Sequence, residues 1–64
     1  MKFNVSGMTC GHCAQAITKA IEHIDPRAAV KVDVAGGTVT VSSDAPTTRI
    51  AEAIQAEGYK AELV

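Results

Sequence analysis

The sequence predicts an α+β domain in which two helices cover one face of a four-stranded antiparallel sheet. Three observations predict it. Four short segments alternate polar and apolar residues, while two longer ones repeat apolar residues at helical spacing. These segments run in the order βαββαβ, two βα units of similar length joined by a tight turn. The chain has 64 residues, too few for a second core, so all six elements belong to a single domain spanning 1-64.

Each element has its own warrant. Lys2 to Ser6 places Phe3 and Val5 on one face and reads as the first strand. Residues 12 to 24 carry Cys13, Ile17, Ala20, Ile21 and Ile24 at helical spacing. That helix closes near Asp25-Pro26, because the residue before a proline resists helical geometry. Val30, Val32 and Val34 alternate with Lys31 and Asp33 as a second strand, and Gly36-Gly37 reads as a two-residue hairpin. Val39 and Val41 alternate with Thr38, Thr40 and Ser42 as a third strand, broken by Asp44-Ala45-Pro46. A second helix runs from Thr47 to about Glu57 on a stripe of Ile50, Ala53 and Ile54, with Gly58 suited to its C-terminal cap. Lys60 to Val64 is a fourth short strand, with Ala61 and Leu63 on one face. The order suits a ferredoxin-like sandwich. Its valine face lies under the helices, with Ile17, Ile21, Ile24, Ile50 and Ile54 as core, and its Lys, Asp and Thr face is solvated.

Composition removes several function classes. Hydrophobic residues make up 47% and charged residues 20%, a globular balance rather than a disordered one. The aromatics are Phe3 and Tyr59 alone, so the core must be aliphatic. Six basic and seven acidic residues give a net charge of -1 with no Lys or Arg run, which argues against a nucleic-acid partner. No stretch approaches the length of a membrane span, so no membrane insertion is expected. Met1 to Val5 lacks the apolar segment of a signal peptide, and the expected compartment is the cytoplasm, where thiols stay reduced.

Chemistry concentrates in Gly7-Met8-Thr9-Cys10-Gly11-His12-Cys13, between the first strand and the first helix. Both cysteines of the chain lie here, spaced C-x-x-C. Unpaired backbone N–H groups and the dipole at a helix start both favour thiolate over thiol. Cβ atoms three positions apart on a helical turn lie about 5–6 Å apart, so the two sulfurs can converge. Three chemistries use such a pair. One is a soft metal: two thiolates without a third or fourth ligand suit Cu(I), which accepts low coordination. A second is structural zinc, which wants four ligands. Only His12 and His23 are available to complete it, one pointing away between the cysteines and the other well down the helix. The third is thiol-disulfide exchange, although no Pro or Trp flanks these cysteines. Against all three stands the plain alternative of two inert, small apolar side chains.

The same seven residues match the GMTCxxC signature of heavy-metal-associated domains, and the chain resembles that family throughout. The βαββαβ order, the hairpin glycines and the Gly58-Tyr59 pair before the last strand extend the resemblance. Within the family it resembles bacterial copper chaperones of the CopZ type. The resemblance implies that Cys10 and Cys13 are the Cu(I) ligands, with Ag(I) as a surrogate. It makes Met8 an apolar anchor under the loop, for all its soft sulfur. His12 is either a solvated side chain or an auxiliary ligand in a copper-bridged dimer of an otherwise monomeric protein. Tyr59 either shields the metal and tunes thiolate charge or is a simple core or edge aromatic. The implied function is cytosolic carriage of one Cu(I) to a copper-transporting P-type ATPase or its N-terminal metal-binding domain, without enzymatic activity. Kept beside it are a metal-binding module of a larger ATPase or mercuric reductase, a mercury or zinc carrier, and a small dithiol oxidoreductase. His23 reads as a surface residue at the end of the first helix.

Overall fold

A computed structural model describes residues 1–8 and 11–64. The elements are β1 (Lys2–Ser6), α1 (Gly11–Ile24), β2 (Ala29–Asp33), β3 (Thr38–Ser42), α2 (Thr47–Ala56) and β4 (Lys60–Leu63). The strands form one antiparallel sheet in the order β2-β3-β1-β4. This is the predicted ferredoxin-like sandwich.

Strand order decides burial. The central strands β1 and β3 bury their apolar side chains fully: Phe3 and Val39, cross-strand partners, and beside them Val5 and Val41. On the edge strands, Val30, Val32 and Ala61 are only half-buried. The helices close the same face. Each contributes an i, i+4 pair, Ile17 with Ile21 and Ile50 with Ile54, all fully buried. Lys31, Asp33, Lys60 and Glu62 are exposed on the other face, as the alternation predicts.

The chain departs from the sequence reading in three places. The β2–β3 connection is a four-residue loop, 34–37, rather than a two-residue turn, with Asp33 paired to Thr38. Asp33 explains the difference: its Oδ1 accepts the Gly36 N–H at 3.0 Å, and the Gly37 N–H bonds back to the Val34 carbonyl. The two glycines serve the loop differently. A Cβ on Gly36 would lie 2.6 Å from Asp33 Oδ2, and Gly37 has φ +67. Val34 therefore leaves the strand and turns. Ile24, expected in the core, is half-buried because it ends α1 at the domain margin. Leu63 is 60% exposed at the end of the edge strand β4.

Topology puts three connections at one end of the sheet: the segment after β1, the 34–37 loop, and Glu57 to Tyr59 between α2 and β4. The opposite end is tied by Asp25 and Ser43. Asp25 accepts the Ser43 hydroxyl and the Arg27 N–H, and Ser43 Oγ in turn accepts the Ala45 N–H.

Candidate metal centre

The centre is built outward from β1. As a central strand, β1 is hydrogen-bonded on both sides, so its end is a rigid platform. Ser6 makes the last pair with β4, opposite Lys60. Gly7 then takes φ +95, a conformation that L side chains rarely adopt, and swings the chain out of the sheet. Met8 turns back inward. It is 9% exposed and belongs to the core cluster with Phe3, Val5 and the four buried isoleucines. An apolar anchor is therefore what the structure makes of Met8.

Thr9 and Cys10 lie outside the described residues. Gly11 opens α1, and nothing stands within 4 Å of where its Cβ would be. Cys13 is the third residue of the helix, half-buried and packed against the core cluster. The first turn of α1 carries no acidic residue. The positive end of the helix dipole thus meets no carboxylate of its own turn, and negative charge is favoured there.

The other predicted residues divide. His12 is exposed, one position before Cys13. It borders a groove between α1 and α2 that also takes in Ala16, Lys19, His23 and Ala53. His23 is exposed in the last turn of α1. Eleven residues at about 1.5 Å each separate the two histidines by roughly 16 Å along the axis. One metal ion at the helix start cannot recruit both. Among the described residues, no three of His, Cys, Asp or Glu gather as a metal-holding group. Among the described residues, Cys13 is the thiol at the helix start, and a soft thiolate suits a soft ion of low coordination number.

Tyr59 does reach the loop. It is half-buried against the core, and its ring covers Gly7: a Cβ there would lie 3.4 Å from Tyr59 Cδ1 and 3.9 Å from Cε1. Residue spacing does not reveal this contact, because it depends on the β1–β4 register. Knowing the Ser6–Lys60 pair is enough to find it, since Gly7 and Tyr59 are one step further along.

The architecture and the loop can be set against known proteins. The model of the heavy-metal-associated domain matches residues 2–60. The chain belongs to the heavy-metal-associated domain family. Within this family it is similar to the copper chaperone CopZ of Staphylococcus aureus, with 36% identity over 59 residues, 88% of this chain and 87% of that protein. Its fold is that of the copper chaperone Atx1 from Synechocystis, solved in a Cu2 form. There the TM-score is 0.92 and the identity 32%, covering 97% of this chain and 98% of the other. A gold binding protein superposes with a TM-score of 0.90 and 36% identity, covering 95% and 94% of the two chains. The heavy-metal-associated match includes the whole Gly7–Cys13 segment and the Tyr59 loop.

Among the described residues, no helix is long and apolar enough to cross a membrane. One carboxyl is held below its ordinary range: Asp25, first by the Ser43 hydroxyl and then by the Arg27 N–H. It lies at the far end of the domain and takes no part in the centre.

Proposed function

We propose that this protein is a cytoplasmic Cu(I) chaperone. It binds one Cu(I) between the thiolates of Cys10 and Cys13 and hands it to a copper-transporting P-type ATPase, through that enzyme's N-terminal metal-binding domain. One observation carries the reading. Both cysteines fall at the junction of β1 and α1 in a chain whose family match and copper-chaperone relatives span nearly its full length. The gold binding relative agrees with a site chosen for soft, thiophilic ions.

The chemistry of delivery follows from low coordination. Two thiolates leave Cu(I) open to an incoming sulfur. A partner thiolate adds to the ion, one of the chain's own thiolates leaves, and a second exchange completes the transfer. No step releases free Cu(I), so tight binding and fast exchange coexist. Oxidation states do not change, and no bond of a substrate is made or broken, so the protein is a carrier and not a catalyst. Exposed His12 supplies an auxiliary nitrogen when two loaded chains share copper, while the apo protein is a monomer. Ag(I), with the same preference for sulfur, is a surrogate cargo. The net charge of -1 provides little long-range steering, so local complementarity around the loop selects the partner.

A transfer experiment tests this. The Cu(I)-loaded protein is mixed anaerobically with an apo N-terminal domain of a copper ATPase, and the two are separated by ion exchange. Copper should move to the partner even when a chelator that captures free Cu(I) is present. Transfer only by way of the chelator, or turnover of insulin disulfides at catalytic rates, would instead support a passive binder or a dithiol oxidoreductase.

A further inference from the structure

The turn of α1 that carries Cys13 is poorly supported by its own residues. Gly11, His12 and Cys13 open it, and glycine is the weakest helix former after proline, with histidine and cysteine in the lower half of the ranking. No acidic residue stands in this turn, so no glutamate reaches back as in a capping box. Nothing lies within 4 Å of where a Cβ on Gly11 would be.

Support arrives from the next turn. The Thr18 hydroxyl donates to the Ala14 carbonyl at 2.8 Å, in a part-buried position. A hydroxyl on the i−4 carbonyl competes with the helix ladder in some helices, but α1 runs unbroken from Gly11 to Ile24. The hydroxyl therefore takes the second lone pair of a carbonyl whose first receives the Thr18 N–H. The Ala14 carbonyl belongs to the same peptide group as the Gln15 N–H, and in the ladder that N–H closes the first turn onto the Gly11 carbonyl. Hydrogen bonds in such a chain polarise one another. Electron density drawn towards Thr18 at the carbonyl end makes the Gln15 N–H a stronger donor to Gly11. Cys13 lies inside the turn that this bond closes.

We infer that Thr18 is a positioning residue for Cys13: its hydroxyl, through the 14–15 peptide group, holds closed the first turn of α1 and so fixes where the Cys13 thiol stands. This deepens the carrier reading, in which Cys13 is one of two ligands, but the support of the turn can be tested without copper.

Thr18→Val removes the donor and keeps a branched side chain of similar helix propensity. In the reduced apo protein it should speed amide exchange at Gln15 by about two- to fivefold, the lower part of the factor that one neutral hydrogen bond supplies. Exchange at Ile54 in α2, which reports overall stability, should not change. Thr18→Ser keeps the hydroxyl and should restore the wild-type rate at Gln15. In the loaded protein, Thr18→Val should release Cu(I) to a chelator faster by a similar factor, and Thr18→Ser should not. Unchanged exchange at Gln15, an equal rise at Ile54, failure of Thr18→Ser to rescue, or unchanged Cu(I) release from Thr18→Val would each overturn the inference. If the apo results hold while no variant, wild type included, retains Cu(I), the support of the Cys13 turn stands and the carrier reading falls.

Discussion

Met8 offers the sharpest separation of packing from ligation, because its thioether is chemically able to bind Cu(I) yet lies 9% exposed in the core cluster. Replacing it with alanine removes three heavy atoms from beneath the loop. Truncating a buried Met costs about 2–5 kcal/mol. The lower part of that range applies at the rim of so small a core, so about 2–3 kcal/mol is expected. In a domain of this size each kcal/mol shifts Tm by about 4–8 °C, so Met8→Ala should melt roughly 10–20 °C lower. Met8→Leu keeps the volume and should cost less than about 1.5 kcal/mol. The two variants then part on copper. If Met8 only anchors the loop, Met8→Leu binds Cu(I) as wild type does in a chelator competition. A liganding thioether would make Met8→Leu weaker by more than the roughly tenfold to hundredfold that even outer-shell changes produce. Thermal melting of the apo protein and Cu(I) competition on the Leu variant measure the two effects separately. Near-normal melting of Met8→Leu with a loss of affinity beyond about a hundredfold would refute the anchor reasoning.

Other expectations concern the frame. The Asp25 carboxyl is depressed from its ordinary 3.8 by the Ser43 hydroxyl and the Arg27 N–H, so this link contributes stability above about pH 4 and loses it as pH falls through the lower folded value. Urea midpoints measured from about pH 5 down to about pH 2 should fall more steeply in wild type than in Ser43→Ala, and parallel curves would contradict the assignment. At Gly58, φ is +95 and nothing lies within 4 Å of where a Cβ would stand, so Gly58→Ala should cost about 1–2 kcal/mol from the backbone alone. Gly58→Asn should cost less in the same denaturation assay. Ile17→Ala, at a fully buried position, should lose about 2–5 kcal/mol, while Leu63→Ala, at 60% exposure, should stay within about 0.5 kcal/mol.

The frame was readable because its elements are locally consistent. Val39 and Val41 alternate cleanly with threonine, and Ile17/Ile21 and Ile50/Ile54 repeat at one helical turn, so periodicity alone assigns element and face. Burial depth was less readable. It depends on strand order, which no single strand encodes, and so Leu63 carries a core pattern on an open edge. The 34–37 loop escaped the sequence pattern because Asp33 acts through its side chain, and dipeptide turn signals do not register that. At the centre, the motif announced the cysteine pair and placed Cys13 in the first helical turn, as found. Cys10 rests on the motif alone. The Tyr59 ring over Gly7 joins residues far apart in sequence, and only the β1–β4 register brings them together.

The central claim is that the cysteine pair holds one Cu(I). The most direct test is an anaerobic titration of the reduced protein against a chromophoric Cu(I) chelator, run beside a Cys10→Ser/Cys13→Ser double variant. The account predicts tight binding near one equivalent in the wild type and its loss in the double variant. Weak wild-type binding, or binding that survives both substitutions, would contradict it.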